Sequence, residues 1–264
     1  MTAAESTSEQ VRFQPSTIAA DLRVSDLVAA LAAGWRDFKA CPAYGQLFAA
    51  LFVIGGMVIW YALTTRGESA WLIPIAAGFP LLAPFVAVGL YEVSRRREAG
   101  LPIAWDAILK AMRGRGDEQL LMMGGFVFLG FTFWIVVAHG IFAIFMAESG
   151  IGSQSLALFV TPAGLAMLAV GTVVGAGIAF LFYAITVMSL PLLVDRDVDF
   201  LTAIFASLRT VQANPLVMTA WAAIIALALF IAMLPLFLGL LVVLPVLGHA
   251  TWHLYRRAVI KPGS

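Results

Sequence analysis

An all-α fold that passes repeatedly through a membrane is what this sequence predicts, on three observations. Of 264 residues, 62% are hydrophobic and only 12% charged, more apolar side chain than one soluble core of this size can hide. The apolar residues gather into long uncharged runs joined by short charged segments. A bilayer core takes roughly 20 such residues per helix, and the runs divide into six passes. The net charge of +1 leaves no excess to draw in nucleic acid, and Cys41, the single cysteine, excludes an intramolecular disulfide and any cysteine-based metal site.

Taken in order, residues 1–22 open acidic and rich in Ser and Thr, without the basic and short apolar regions of a cleaved leader, and predict a disordered tail. Residues 23–93 predict an interfacial helix and a hairpin with spans at 46–63 and 71–90, turning at Thr64–Ser69. In the interfacial helix, Val24, Leu27, Val28, Leu31, Trp35 and Phe38 share one face, and Ser25 and Asp26 sit where they favour its start. Pro74, Pro80 and Pro84 remove backbone donors from the second span and predict kinks, read as static shape rather than as a gate.

Residues 94–194 form a basic loop, a short amphipathic stretch through Trp105, Ile108, Leu109 and Met112, and a hairpin with spans at 120–147 and 163–190 joined by Glu148–Ser155. Gly171 and Gly175 make a G-x-x-x-G with Gly177 close by, a pattern that lets a neighbouring helix approach closely, within the chain or between chains. Residues 195–264 repeat the plan. Asp195, Arg196, Asp197 and Asp199 gather at the lip of the fourth span and predict a helix cap. Phe200, Leu201, Ile204, Leu208 and Val211 then share a helical face. No Asp, Glu, Lys or Arg occurs from Leu216 to Tyr255, and a single helix of that length would reach about 60 Å. Two spans, 216–234 and 237–255, fit better, with the turn at Leu234–Gly239 where Pro235 and Gly239 break the helical pattern.

On this topology every lysine and arginine except Arg66 falls on one side, which places both ends in the cytoplasm of a cell whose inner membrane holds the chain. Each cytoplasmic segment leads into a hairpin. Laying Asp26 over Asp199 also superposes Leu27 on Phe200, Leu31 on Ile204, Trp35 on Leu208, Arg36 on Arg209 and Pro42 on Pro215, with no gap. The expectation is a threefold parallel repeat of one unit, an interfacial helix with its apolar face in the headgroup boundary followed by a hairpin.

His249 and His253, four apart, share a helical face, and His139 lies in the third span. Such a set can hold copper or stand beside a haem, but interfacial and structural roles are the plainer reading for all three. Acidic residues are missing from the depth of the spans, where ion-coupled carriers place them, and no catalytic constellation is present.

The run Ser189-Leu190-Pro191-Leu192-Leu193-Val194-Asp195-Arg196-Asp197-Val198-Asp199, with Ser207-Leu208-Arg209 and Asn214-Pro215 after it, resembles a bacterial family of integral membrane proteins known as domain of unknown function 2189. The closing run from Leu244 to Arg256 is similar to that family's ending. The resemblance implies a fold and a topology. Members are sometimes labelled as cytochrome oxidase subunit I, but three histidines do not supply that subunit's ligand set. Together these readings favour a non-enzymatic protein with no cofactor, set in the lipid bilayer as an accessory, assembly or structural partner of a membrane complex or as a homo-oligomer. A small transporter or channel for an uncharged or lipid-like substrate, and a haem- or copper-binding redox subunit, are the alternatives.

Overall fold

The computed structural model describes residues 17–68, 71–112, 119–146 and 159–260. These residues fold into helices, apart from one short β ribbon. The elements are β1 (Thr17–Ile18), α1 (Val24–Ala40), α2 (Pro42–Thr65), α3 (Leu72–Glu98), α4 (Trp105–Met112), α5 (Gln119–Met146), α6 (Pro162–Thr186), α7 (Ser189–Asp195), α8 (Phe200–Ala213), α9 (Pro215–Met233), α10 (Leu240–Ala258) and β2 (Val259–Ile260). Among the described residues four stretches are long and apolar enough to cross a membrane: α2, α5 to Phe145, the run Pro162–Asp195 through α6 and α7, and α9.

Local chemistry sets the boundaries. Proline opens α2, α6 and α9 in the first turn, where a missing N–H breaks no bond. The Asp199 carboxylate accepts from the Thr202 N–H and caps α8. Asp26 instead reaches back from the first turn of α1 to the Arg23 N–H. The turn between α9 and α10 occupies residues 234–239, where Leu236 and Phe237 take positive φ. Helix α3 runs through Pro74, Pro80 and Pro84 without interruption; Pro74 falls in its first turn, where proline is tolerated, and its carbonyl accepts the Trp134 indole N–H.

Helices α3, α6 with α7, and α10 touch one another and form the middle of the bundle, while α2, α5 and α9 lie outside them. Three further helices pack on this middle: α4 on α3, α8 on α6 and α7, and α1 on α10. The first two pairs are neighbours in sequence. The third joins the two ends of the chain, and it is the most extensive helix contact in the structure.

Gly34 makes that contact. A Cβ there would lie 2.6 Å from both the Ala250 nitrogen and the Val246 oxygen of α10, a distance at which backbone must move. Leu27, Ala30, Asp37 and Phe38 flank it and are buried. The expected placement of this apolar face in the headgroup boundary is therefore corrected: Leu27 and Phe38 pack inside the protein, Leu31 is half-buried, and Val24, Val28 and Trp35 stay exposed. The buried stripe is narrower than the apolar face because small residues let two backbones meet, and the larger side chains flank that line. Helix α8 behaves alike. Ala203, Ala206, Ser207, Thr210 and Val211 are buried, Phe200, Ile204 and Leu208 are half-buried, and Leu201 and Phe205 are exposed.

Ser207 explains why α6 and α7 are two helices. Its hydroxyl donates to the Ala184 carbonyl at 2.7 Å and accepts the Met188 N–H at 3.1 Å. A side chain thus stands in the i to i−4 ladder, a known cause of a helix break.

The expected tail over 1–22 is corrected at its end. Residues 1–16 lie outside the described residues, but Thr17–Ile18 pairs antiparallel with Val259–Ile260. The Asn214 side chain accepts from the Leu22 N–H and donates to the Ala19 carbonyl. Backbone that finds such partners is ordered whatever its composition. Of the glycines expected to pack helices, only Gly175 does so, against the Trp134 ring; a Cβ at Gly171 or Gly177 would meet nothing within 4 Å. Among the described residues Gly171 and Gly177 therefore meet no neighbouring helix.

Gly34→Ala is expected to destabilise the protein by about 1–3 kcal/mol through overpacking, read as a lower thermal midpoint in detergent. Gly55→Ala on α2, where the added methyl meets nothing, is expected to be neutral or to stabilise by up to about 1 kcal/mol.

Candidate functional site

Polar side chains that sequence alone leaves scattered come together where α1, α3 and α10 meet. Asp37 lies one turn beyond Gly34 on the same face of α1, and His253 lies three residues beyond Ala250 on α10, so the close helix contact sets the two opposite each other. His253 Nε2 and Asp37 Oδ2 are 2.9 Å apart. The Ser94 hydroxyl of α3 donates to the same Asp37 oxygen at 2.6 Å and lies 2.8 Å from His249 Nδ1. Arg97 Nε pairs with the other Asp37 oxygen at 2.9 Å. Asp37, Ser94 and His249 are buried, and His253 is half-buried.

Proton counting fixes the tautomers. A carboxylate only accepts, so His253 carries its proton on Nε2. Ser94 has one proton and gives it to Asp37; His249 must then donate from Nδ1, which leaves its Nε2 a bare acceptor. That nitrogen is buried and meets no hydrogen-bond partner among the described residues. The order is carboxylate, hydroxyl, imidazole. In a nucleophilic triad the imidazole stands between the other two and takes the hydroxyl proton; here the hydroxyl stands in the middle, and the histidine donates to it.

Further ion pairs and hydrogen bonds lie at this end of the middle helices. Glu92 receives Arg95 and Arg96 at 2.7 and 2.8 Å. Glu98 of α3 accepts from the Trp252 indole and from Arg256 of α10, while Asp195 of α7 accepts the Tyr255 hydroxyl at 2.9 Å. Arg257 reaches Asp21 in the N-terminal strap at 3.0 Å.

The structure brings His249 and His253 to one junction but not His139. His139 stacks on Trp71, 4.1 Å between ring centroids, at the start of α3 and far along α5 from these ion pairs. Its Nδ1 lies 3.3 Å from the Ile135 carbonyl. Among the described residues no three His, Cys, Asp or Glu side chains converge in a way that could hold a metal ion. Of the candidate nitrogens at the junction, His249 Nε2 is bare and His253 Nε2 is engaged by Asp37.

Asp37, Ser94 and Arg97 were not singled out from sequence. The available signal was Asp37 itself, an acid in helical phase with Leu27, Ala30 and Gly34, which calls for a buried partner.

Residues 72–195, from the start of α3 to the end of α7, match the family described as predicted integral membrane protein (DUF2189). The matched stretch takes in the beginning of the Ser189–Asp199 motif and stops before the closing run of α10. No curated protein and no solved structure matches the chain. The match and the four apolar spans agree that this is an integral membrane protein.

Burial alone would raise the Asp37 pKa, but its hydrogen bonds with His253 and Ser94 hold it below the ordinary 3.8. A lowered carboxylate pKa contributes stability that is full above the unfolded value and lost as pH falls through the folded one. Asp37→Ala should therefore cost about 3 kcal/mol near neutrality, in the range for breaking a buried pair. The gap in thermal midpoint between wild type and variant should hold above pH 3.8 and close below it.

Proposed function

Taking an integral membrane protein as the premise, we propose that the chain is a non-enzymatic scaffold of six spans, with both ends in the cytoplasm, that serves as an accessory, assembly or structural partner of a larger complex in the inner membrane. The observation that carries this reading is the filled middle of the bundle. Leu90 of α3, Met188, Leu190 and Leu192 at α7, and Leu240 of α10 are wholly buried, so large apolar side chains occupy the place where a polar path would have to run. The Asp37 and His249 cluster lies at the cytoplasmic end and joins helices of the chain to one another.

The two spans beyond the four apolar ones are α3 and α10. More than half of α10 is buried against other helices, so His249, Thr251 and His253 face protein rather than lipid, and a modest hydropathy is compatible with crossing. The threefold repeat draws support from the joints. Cys41 and Asn214, which superpose in the ungapped register, have φ/ψ of −135/53 and −133/56, and each precedes a proline that starts the next helix. Gly34 and Ser207 superpose too, and both face an i, i+4 peptide pair of a middle helix, 246 and 250 or 184 and 188.

The topology predicts that a cysteine at Arg66 is labelled by an impermeant maleimide from outside intact cells, while one at Arg209 is labelled only after permeabilisation; labelling of both from one side would reject six spans. The scaffold reading predicts a stoichiometric membrane-protein partner after purification of the native protein in mild detergent. Consistent recovery of the chain alone would contradict it. A second reading, handling of a lipid-like substrate, draws on an apolar cavity between α6 and α9.

A further inference from the structure

The three seams between successive units are not alike. Helix α2 packs along α10, and α5 along α3, but α9 barely touches α6. Between those two helices lies a cavity of about 340 Å3. Ala87 of α3 and Gly248 of α10 form its floor, and Ala179 of α6 with Ala223 and Ala226 of α9 line its walls. Small side chains thus leave a space that no described residue fills.

A residue exchange explains why this seam stands open. In the register that superposes Asp26 on Asp199, Gly45 of α2 falls on Met218 of α9. In the register that superposes residues 246 and 250 on 184 and 188, Pro245 of α10 falls on Tyr183 of α6. Gly45 and Pro245 meet directly: a Cβ at Gly45 would lie 2.6 Å from the Pro245 Cβ. At the corresponding place a phenol replaces that contact, and the Tyr183 hydroxyl donates to the Met218 carbonyl at 2.7 Å. Glycine on proline lets two helices touch. Tyrosine reaching across to a main-chain carbonyl holds them apart by the length of its ring.

We propose that this seam is a binding site for one acyl chain of a phospholipid from the cytoplasmic leaflet. The lining is almost wholly apolar, and the volume is at the small end of the range for ligand pockets, about 300–1,000 Å3. A helix with its side chains, about 10–12 Å across, is too wide to enter; a single hydrocarbon chain is not. Phe180 of α6 lines the cavity and is also partly exposed on the outer surface, so the space borders the lipid around the bundle. The leaflet assignment rests on the six-span topology. Counting from Pro215 at the cytoplasmic end of α9, the lining residues Thr219 to Leu229 lie about 6–21 Å into the membrane at 1.5 Å per residue, the depth of one leaflet's chains.

The test is photo-crosslinking of the full chain in phospholipid nanodiscs with a phospholipid that carries a diazirine on its acyl chain, the adducts being mapped by mass spectrometry. Adducts should concentrate on residues 176–187 and 219–229. Ala223→Phe should abolish that excess, and Leu51→Phe on the exposed face of α2 should leave it. An even spread over the exposed faces of α2, α5 and α9 would overturn the site, as would an excess that Ala223→Phe does not change. A parallel arm with the diazirine on a free fatty acid separates the sources: labelling of the cavity by the fatty acid but not the phospholipid overturns the phospholipid assignment. The wild-type map decides even where the variant folds poorly. Maleimide labelling reads the topology by itself, so the two readings fail separately.

Discussion

Helix α1 lies against α10 with no side chain between their backbones at Gly34, and much of the structure depends on that approach. It brings the first long helix onto the last, so the two ends of the described chain pack together. It also sets Asp37 opposite His253 and within reach of Ser94 and Arg97. A methyl group at Gly34 would push the helices apart and lengthen every one of those bonds. Protein on several sides of α10 then explains how two histidines and a threonine sit in that helix: His253 and Thr251 bond to protein, and His249 does so through Nδ1.

Positions paired by the ungapped register of Asp26 on Asp199 show how one device gives different outcomes. Glycine at 34 leaves the α10 ladder intact, whereas serine at the superposed position 207 inserts its hydroxyl between Ala184 and Met188 and ends α6. Glycine at 45 lets α2 close on Pro245, whereas methionine at 218 with Tyr183 opposite leaves a cavity. Substitutions of this size change little in composition or hydropathy. They decide whether a helix is continuous and whether a seam is filled, and they give an otherwise regular bundle one distinct side.

Helix boundaries were legible wherever a residue acts on its own backbone. Pro235 and Gly239 mark the turn at 234–239, Pro42 and Pro215 mark helix starts, and Asp199 caps α8. What a side chain packs against was not legible, because that depends on a partner far along the chain. The apolar face of α1 reads the same whether it meets lipid or α10, and only the small residues Ala30 and Gly34 inside it point to a helix. Gly171 and Gly177 carry the spacing of a packing motif, but no described residue packs against them; the spacing does not say whether the neighbour lies within the chain or in another. His249 and His253 were recognised as a pair from their spacing. Their carboxylate came from a helix more than 200 residues earlier, and it could be suspected only from an acid lying on an apolar face.

The most direct test of this account is hydrogen–deuterium exchange of the full-length protein in detergent, following the amides of Leu27–Phe38 beside those of α10. If α1 is held between α10 and the ion pairs, its amides are protected to the same degree as the C-terminal half of α10, and the two regions open together. Exchange of α1 within seconds, at the rate of a helix resting on a surface, while α10 stays protected, would contradict it.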